Sequence, residues 1–387
     1  MTSPTQLKIL SAIWRSPRLS RSDLEDLTGF HANTVARTVE VLLRKGYLRE
    51  GEGEVTLQRV RGRPRIPLEI DPARICVGGL AIGASAIEAV TMNLFGQPLA
   101  KVVQIPTLES EQISRTVTSL LRGLLRANPI ALGVSVTGFV DPERLRILFS
   151  SATPFGELDL APIFKRAGDI PVVLNSEMHA LGIRWMMGRA ESQEEDVIVV
   201  KLEDGAVGAS LLLGGSPNKG CLLGGSELGH MRLGVETERC YCGGVGCVER
   251  IFSTAFLHQC GGSGTLTETF SKKTLDPSAL KIVTLMAQAF VNATVFARPH
   301  RIVVVGSLAQ HVGFRTALET SWRNQLPDIF KSSVTLEWGA LDVAVSAETA
   351  GWLAIASVLR GELADSRPPE GISQDPHEVP HNENCKT

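Results

Sequence analysis

Apolar and polar positions along this chain follow two rhythms, and the change falls near residue 70. In the first stretch Leu7, Leu10, Ile13 and Trp14 lie three or four apart or adjacent, as on one face of a helix. Ser20 is placed to cap a second helix in which Leu24 and Leu27 face inward, and Thr28-Gly29-Phe30 supplies a turn whose glycine is free to take positive φ. A third helix is predicted over residues 32–45, burying Val35, Val39, Leu42 and Leu43 and stopped by Gly46. Its exposed leading face then carries Asn33, Thr34, Arg37 and Thr38. Alternation over residues 47–57, around Gly51 and Gly53, predicts a short β-hairpin.

This order is that of a winged helix-turn-helix, in which the third helix would read the major groove. A three-helix protein-interaction unit would show the same periodicity. From residue 75 the period shortens to two. Strands are predicted at 75–82, 86–93 and 97–103, a helix at 112–127, and strands at 130–136, 171–174, 197–202 and 210–213. A long apolar helix follows at 278–296 and leads to a strand at 301–305. Hairpins alternating with helices give an α/β fold class, and the two successive halves suggest a duplicated architecture.

Length and charge refine this picture. A chain of 387 residues has room for two or three domains. Residues 1–70 carry a balance of +4 and the remainder −6, a modestly basic front on an acidic body. No apolar run is read as reaching the ~20 residues that span a bilayer, so no membrane partner is expected. Seven cysteines, three of them clustered, suit a reducing interior and a cytoplasmic location better than a disulfide framework. Arg59, Arg61, Arg63 and Arg65 recur at every second position, so an extended backbone would place all four on one face. Arg61 and Arg63 are candidates for insertion into a narrow A/T-rich minor groove, although the segment also reads as an interdomain linker. The tail, residues 361–387, is proline-rich and nearly devoid of apolar side chains, and is expected to be disordered.

The densest chemistry lies in residues 227–247, ELGHMRLGVETERCYCGGVGC. His230 is followed after nine residues by Cys240, then by Cys242 one residue on and Cys247 after four more. One imidazole and three thiolates this close make the ligand set of a closed tetrahedral Zn2+ site, a structural one because no coordination position stays open. Cys221 and Cys260 flank the quartet and are expected to pack in the core.

The ELGH segment joined to CYCGGVGCVE resembles the signature of the ROK family of bacterial repressors and sugar kinases. That resemblance implies an actin-like (ribonuclease H-like) two-lobed domain over residues 73–360. A winged helix-turn-helix over 1–58 would precede it, joined by an arginine-rich linker over 59–72. The family's front pattern is matched by Ser20, Arg21, Leu24, Thr28, Gly29, Thr34, Val35 and Gly46, with His31 where a serine usually caps the third helix. The resemblance further implies sugar contacts from Asn175, Glu227, His230 and Gly138. It also implies a double-stranded DNA operator as partner and at least a dimer, as a homodimer or homotetramer.

Three departures separate the chain from the family's kinases. Ala81 to Ala86 stands where the kinases carry an Asp-x-Gly-Gly-Thr-Lys loop; Glu203 and Asp204 replace a glycine-rich phosphate loop; and Ser176 follows Asn175 where a catalytic aspartate would be the general base. Two carboxylates where a triphosphate should sit would repel nucleotide, and Glu177 would point elsewhere. No catalytic residue is expected. The reading is a regulator of carbohydrate metabolism, a repressor by family resemblance, that senses a sugar or sugar derivative. The alternatives are an ATP-dependent sugar kinase with an appended DNA-binding domain and a partner-controlled regulator with an empty cleft.

Overall fold

The first two helices start where a side chain satisfies their free N–H groups; the third does not. In the computed structural model, which describes residues 2–52, 65–83, 86–104, 110–150, 156–187, 195–218, 225–339 and 346–360, α1 (Pro4–Arg15) opens on a reciprocal Ser3–Gln6 cap. Helix α2 (Arg21–Thr28) opens on a Ser20–Asp23 capping box and ends at Gly29, at φ +70°. Helix α3 (Ala32–Arg44) has His31 at its N-cap without a side-chain hydrogen bond, so the usual contribution of about 1 kcal/mol is missing there. It ends on paired bonds from Gly46 N–H to Leu43 O and from Tyr47 N–H to Leu42 O.

Three expectations for this region need correction. Leu27 does not face inward: it is 58% exposed, and Thr28, one turn on from Leu24, is the residue that turns into the core. Thr38 is not on the exposed face of α3 but 9% exposed, between Val35 and Leu42 on the buried stripe. Among the described residues the partner of β1 (Leu48–Glu50) is not within 47–57 but β2 (Leu68–Ile70), inside the segment read as linker; residues 53–57 lie outside the described residues. Of the four linker arginines only Arg65 is described, and its Nη1 lies 2.7 Å from the buried Asp23 carboxylate. Arg61, Arg63, Cys221 and the tail lie outside the described residues.

The body contains two five-stranded sheets of the same plan. In the first, β3 (Cys76–Ile82), β4 (Ile87–Asn93) and β5 (Pro98–Gln104) form an antiparallel meander, and β6 (Leu132–Val136) and β10 (Val172–Ser176) add in parallel on the other side of β3. A small sheet of β7 (Phe139–Asp141), β8 (Arg146–Phe149) and β9 (Leu158–Asp159) is inserted between β6 and β10. The second sheet repeats the order: β11 (Val197–Glu203), β12 (Ala206–Leu213) and β13 (Ser216–Pro217) meander, and β14 (Arg301–Val305) and β15 (Thr335–Trp338) add in parallel. Helices α4 (Ser110–Leu125) and α5 (Ala161–Phe164) belong to the first lobe. Short helices α7 (Val248–Ile251), α8 (Thr254–Gln259) and α9 (Leu266–Phe270), with α10 (Pro277–Ala297) and α11 (Val312–Gln325), cover the second. Helix α6 (Glu177–Met187) touches both sheets, and α12 (Ser346–Arg360) returns to pack on β3, β4, β6 and α6.

Helix α10 overturns one sequence expectation. Its 21 residues are long and apolar enough to cross a bilayer by composition alone. Half of its most apolar window is buried, and Ile282, Met286, Phe290 and Ala293 line the second lobe's core, so packing accounts for the run.

The N-terminal unit is joined to the first lobe by a shared core. Leu7, Leu10 and Ile13 of α1 fall in one hydrophobic cluster with Val90, Met92, Ile355 and Leu359. Trp14 Nε1 donates to Leu94 O at 2.9 Å, and Ser11 Oγ donates to Leu359 O.

Candidate metal centre and interlobe cleft

A single 3-10 turn over Leu228–His230 carries the histidine of the cysteine loop. The turn presses on β12 so closely that a Cβ on Gly229 would stand 2.1 Å from Val207 O. The chain then forms a knuckle, in which Gly243 N–H donates to Cys240 O at 2.9 Å and Cys240 N–H to Gly244 O at 2.8 Å. It doubles back to place Cys247 opposite Arg232 and enters α7 with Cys247 at the N-cap. Gly246, at φ +80°, occupies a point where a side chain would meet Val235 O at 2.7 Å.

This path brings one ligand atom each from His230, Cys240, Cys242 and Cys247 within 4.8 Å of one another. His230 Nδ1 lies 3.6 Å from Cys240 Sγ, and Cys242 Sγ lies 3.6 Å from Cys247 Sγ. Metal–sulfur bonds of about 2.3 Å and metal–nitrogen bonds of about 2.0 Å give tetrahedral edges of about 3.5–3.8 Å. Two of the six edges therefore match a tetrahedral cation, and the quartet can hold a metal ion. Cys240 and Cys247 are buried and Cys242 exposed, whereas Cys260 is partly buried against the second-lobe core.

The protonation of this group follows from its surroundings. Burial, reinforced by the neighbouring sulfurs, pushes the Cys247 thiol up to about 12. At Cys242 desolvation also pushes upward, but the Gly244 N–H, the two other thiols and Arg232 outweigh it and hold this thiol below its ordinary value. Burial, then Arg250, lowers His230, which favours the neutral imidazole that ligates. Because thiols must deprotonate to ligate, loading Zn2+ at pH 7.5 is expected to release about two to three protons per chain. Apparent affinity should climb with pH, since Cys247 stays protonated in the metal-free protein far above neutrality. A pH indicator in weak buffer measures the release, and a value near zero would contradict thiolate ligation. Beside the quartet, Glu227 Oε2 stands 4.0 Å from His230 Nε2. Desolvation, with the Glu249 carboxylate adding repulsion, raises Glu227 to about 7.

Strands β6 and β10 are parallel neighbours, so their C-terminal ends bring the loop of Gly138 beside Asn175 and Ser176. Asn175 Oδ1 accepts the Ser176 N–H at 2.9 Å. Ser176 Oγ accepts the His179 N–H at 3.2 Å and so caps α6, one of the tasks serine does well. Glu177 is held by two partners. Its Oε1 lies 2.6 Å from Lys201 Nζ, and its Oε2 accepts the Thr137 hydroxyl at 2.8 Å. Lys201 belongs to β11, so this ion pair ties the lobes together.

Glu203 and Asp204 are each held by donors of the second lobe. Glu203 accepts the Ser307 N–H at 3.0 Å together with its hydroxyl, at the end of β14. Asp204 accepts the Thr254 N–H at 2.7 Å together with its hydroxyl, at the start of α8. Two sets of N–H donors in the second lobe already hold carboxylates. Ser307, Thr254 and Lys201 were missed from sequence because they act through acids distant in the chain.

An aromatic contact, also missed, joins the two groups of candidate sugar residues. Phe149 O would lie 2.3 Å from a Cβ on Gly138, and the Phe149 ring stacks on Tyr241 with centroids 5.4 Å apart. Tyr241 sits between Cys240 and Cys242, and its ring meets the His230 ring edge-on at 4.9 Å. Of the candidate DNA contacts, Asn33, Thr34 and Arg37 share the exposed leading part of α3, and Thr38 does not join them.

Two lobes built on five-stranded sheets of the same strand plan define an actin-like architecture. The sequence pattern of the ROK family matches residues 77–360, and the chain belongs to that family. The xylose repressor of Bacillus subtilis (strain 168) is 22% identical over 252 residues, 63% of this chain and 64% of that protein. The chain thus spans less than two thirds of that relative's length. The N-acetylmannosamine kinase of Vibrio cholerae is 26% identical over 283 residues, 70% of this chain and 95% of the kinase. Among solved structures, a ROK family transcriptional regulator described as a homologue of the E. coli MLC protein superposes with a TM-score of 0.77 at 17% identity, covering 93% of this chain and 97% of its own.

Proposed function

We propose that this chain is a sugar-responsive transcriptional regulator, a repressor in sign, whose kinase-like body carries no phosphoryl-transfer activity. The N-terminal unit, read as a winged helix-turn-helix, would present Asn33, Thr34 and Arg37 to the major groove, with Arg61 and Arg63 reaching the minor groove. Asn175, Gly138, Glu227 and His230 would bind the sugar, and His230, Cys240, Cys242 and Cys247 would hold a structural Zn2+. A two-fold operator would require a homodimer or homotetramer.

The observation that carries this reading is the fate of Ser176. It stands after Asn175, where the family's kinases place their base, and it caps α6. A hydroxyl engaged in this way does not abstract a proton from a sugar, and the nearby Glu177 carboxylate is bonded to Lys201 and Thr137. Signalling would run through packing: sugar binding shifts the lobes, α12 moves with the first lobe, and α1, seated on α12, carries the shift to the DNA-facing helix.

The kinase alternative is favoured by the 95% coverage of the N-acetylmannosamine kinase. One experiment separates the readings. Zinc-loaded full-length protein is used to select genomic DNA fragments with and without D-xylose, D-glucose or N-acetyl-D-mannosamine, and the same protein is assayed with ATP and each sugar. A palindromic site whose occupancy one sugar changes, with no turnover, supports the regulator. Turnover of ATP would sink the claim of inactivity, and absence of any selected site would sink the regulator.

A further inference from the structure

We infer that Phe149 and Tyr241 form an aromatic lid over the sugar cleft, and that Tyr241 packs on the apolar face of the bound sugar. This rests on the sugar-sensing reading of the same site. The argument begins with where the two rings come from. Phe149 ends β8, whose Ile147 is buried in the first lobe's core. Tyr241 lies in the cysteine loop, which leads into Val248 and Ile251 of the second lobe's core. Their stack, at 27° between planes, is therefore a contact between lobes, as is Lys201–Glu177.

The stack also lies between the two halves of the candidate site. On one side Phe149 backs directly on Gly138, beside the strand end of Asn175. On the other, Tyr241 touches His230, which faces Glu227. Phe149 remains 37% exposed, and Phe139 lies 6.3 Å away as a second ring on the first-lobe side. A sugar ring offers hydroxyls at its edge and C–H groups on its faces. Asn175, Glu227 and His230 suit the hydroxyls and nothing among them suits the C–H face; an aromatic ring does. The cation quartet fixes the lid's hinge side, since Tyr241 is flanked by two of its ligands.

The chain has two tyrosines, Tyr47 in the N-terminal unit and Tyr241, so 3-fluorotyrosine labelling gives two 19F resonances that Tyr47→Phe assigns. In zinc-loaded full-length protein Phe149→Ala, which leaves the cysteine loop untouched, should shift the Tyr241 resonance and spare Tyr47. Titration with D-xylose, D-glucose and N-acetyl-D-mannosamine, followed by calorimetry and 19F, should show one sugar moving Tyr241 alone. Tyr241→Ala should weaken that sugar about tenfold, while Tyr241→Phe stays within about twofold. Metal content checks that Tyr241→Ala keeps its loop. A sugar that binds without moving Tyr241, and binds Tyr241→Ala and Phe149→Ala as tightly as wild type, overturns the lid alone. If none of the three sugars binds wild type, the sugar reading fails and the lid falls with it. A Phe149→Ala resonance identical to wild type refutes the stack itself.

Discussion

Cys247→Ser is expected to emerge from purification with less than about one-tenth of the wild-type zinc, measured by elemental analysis against a wild type holding about one ion per chain. Cys247 is fully buried, sits at the N-cap position of α7 and stands 3.6 Å from Cys242 Sγ, so its replacement removes the ligand at the junction of loop and helix. The serine hydroxyl is a poor replacement for thiolate sulfur as a zinc ligand. Without the ion, residues 231–247 have few buried apolar side chains to hold them, and protease should cut there first. The rest of the second lobe should persist, because Phe252, Phe270 and Phe314 form a ring cluster independent of the loop. Cys260→Ser serves as control and should keep its zinc. Equal zinc in Cys247→Ser would remove the quartet from consideration.

Gly133→Ala is expected to destabilise the chain by about 3 kcal/mol or more, beyond the usual cost of overpacking because the obstacle is backbone. An added methyl at Gly133 would stand 1.9 Å from Ala350 O, and at Gly79 on the adjacent strand 2.2 Å from Ala347 O. Helix α12 lies almost directly on β3 and β6 there, and neither a carbonyl nor a strand can swing aside as a side-chain tip would. The helix must lift, and α1 lifts with it. Gly123→Ala makes the contrast: nothing lies within 4 Å of a Cβ there, in the last turn of α4, and alanine should stabilise by about 0.5 kcal/mol. Thermal unfolding of both variants tests the pair, and equal midpoints would refute the close packing of α12.

Legibility from sequence followed separation along the chain. The cation quartet was readable because its members lie in one loop with glycines at the bends. The first lobe's meander and β11 were readable from their apolar content, whereas β12 was foreseen only over 210–213 and the two-residue β13 was missed. Thr38 was misplaced by residue type although its spacing from Val35 and Leu42 put it on the buried stripe. Leu27 was misplaced by the reverse error: its apolarity suggested burial, while the short α2 turns Thr28 inward instead. The short strands β7 to β9 lack the length to show alternation. Glu203 and Ser307 lie 104 residues apart, and no local pattern signals such a bond. The same separation hid the Phe149–Tyr241 stack and the return of α12 to the first lobe.

The shared core beneath α1 has a consequence for anyone wishing to rewire this protein. An N-terminal reader tethered by a string could be swapped like a cartridge. Here Leu7, Leu10 and Ile13 are interlocked with Ile355 and Leu359, and two hydrogen bonds reach across to Leu94 and Leu359. A chimera cut after residue 70 would expose one apolar face on the transplant and its mirror on the recipient. Hybrids that keep the N-terminal unit should therefore also inherit α12 and the β3–β4 surface it shares. Change at the front end is tied in the same way, because the inner face of α1 must stay matched to the last helix while the outer face of α3 carries no such constraint.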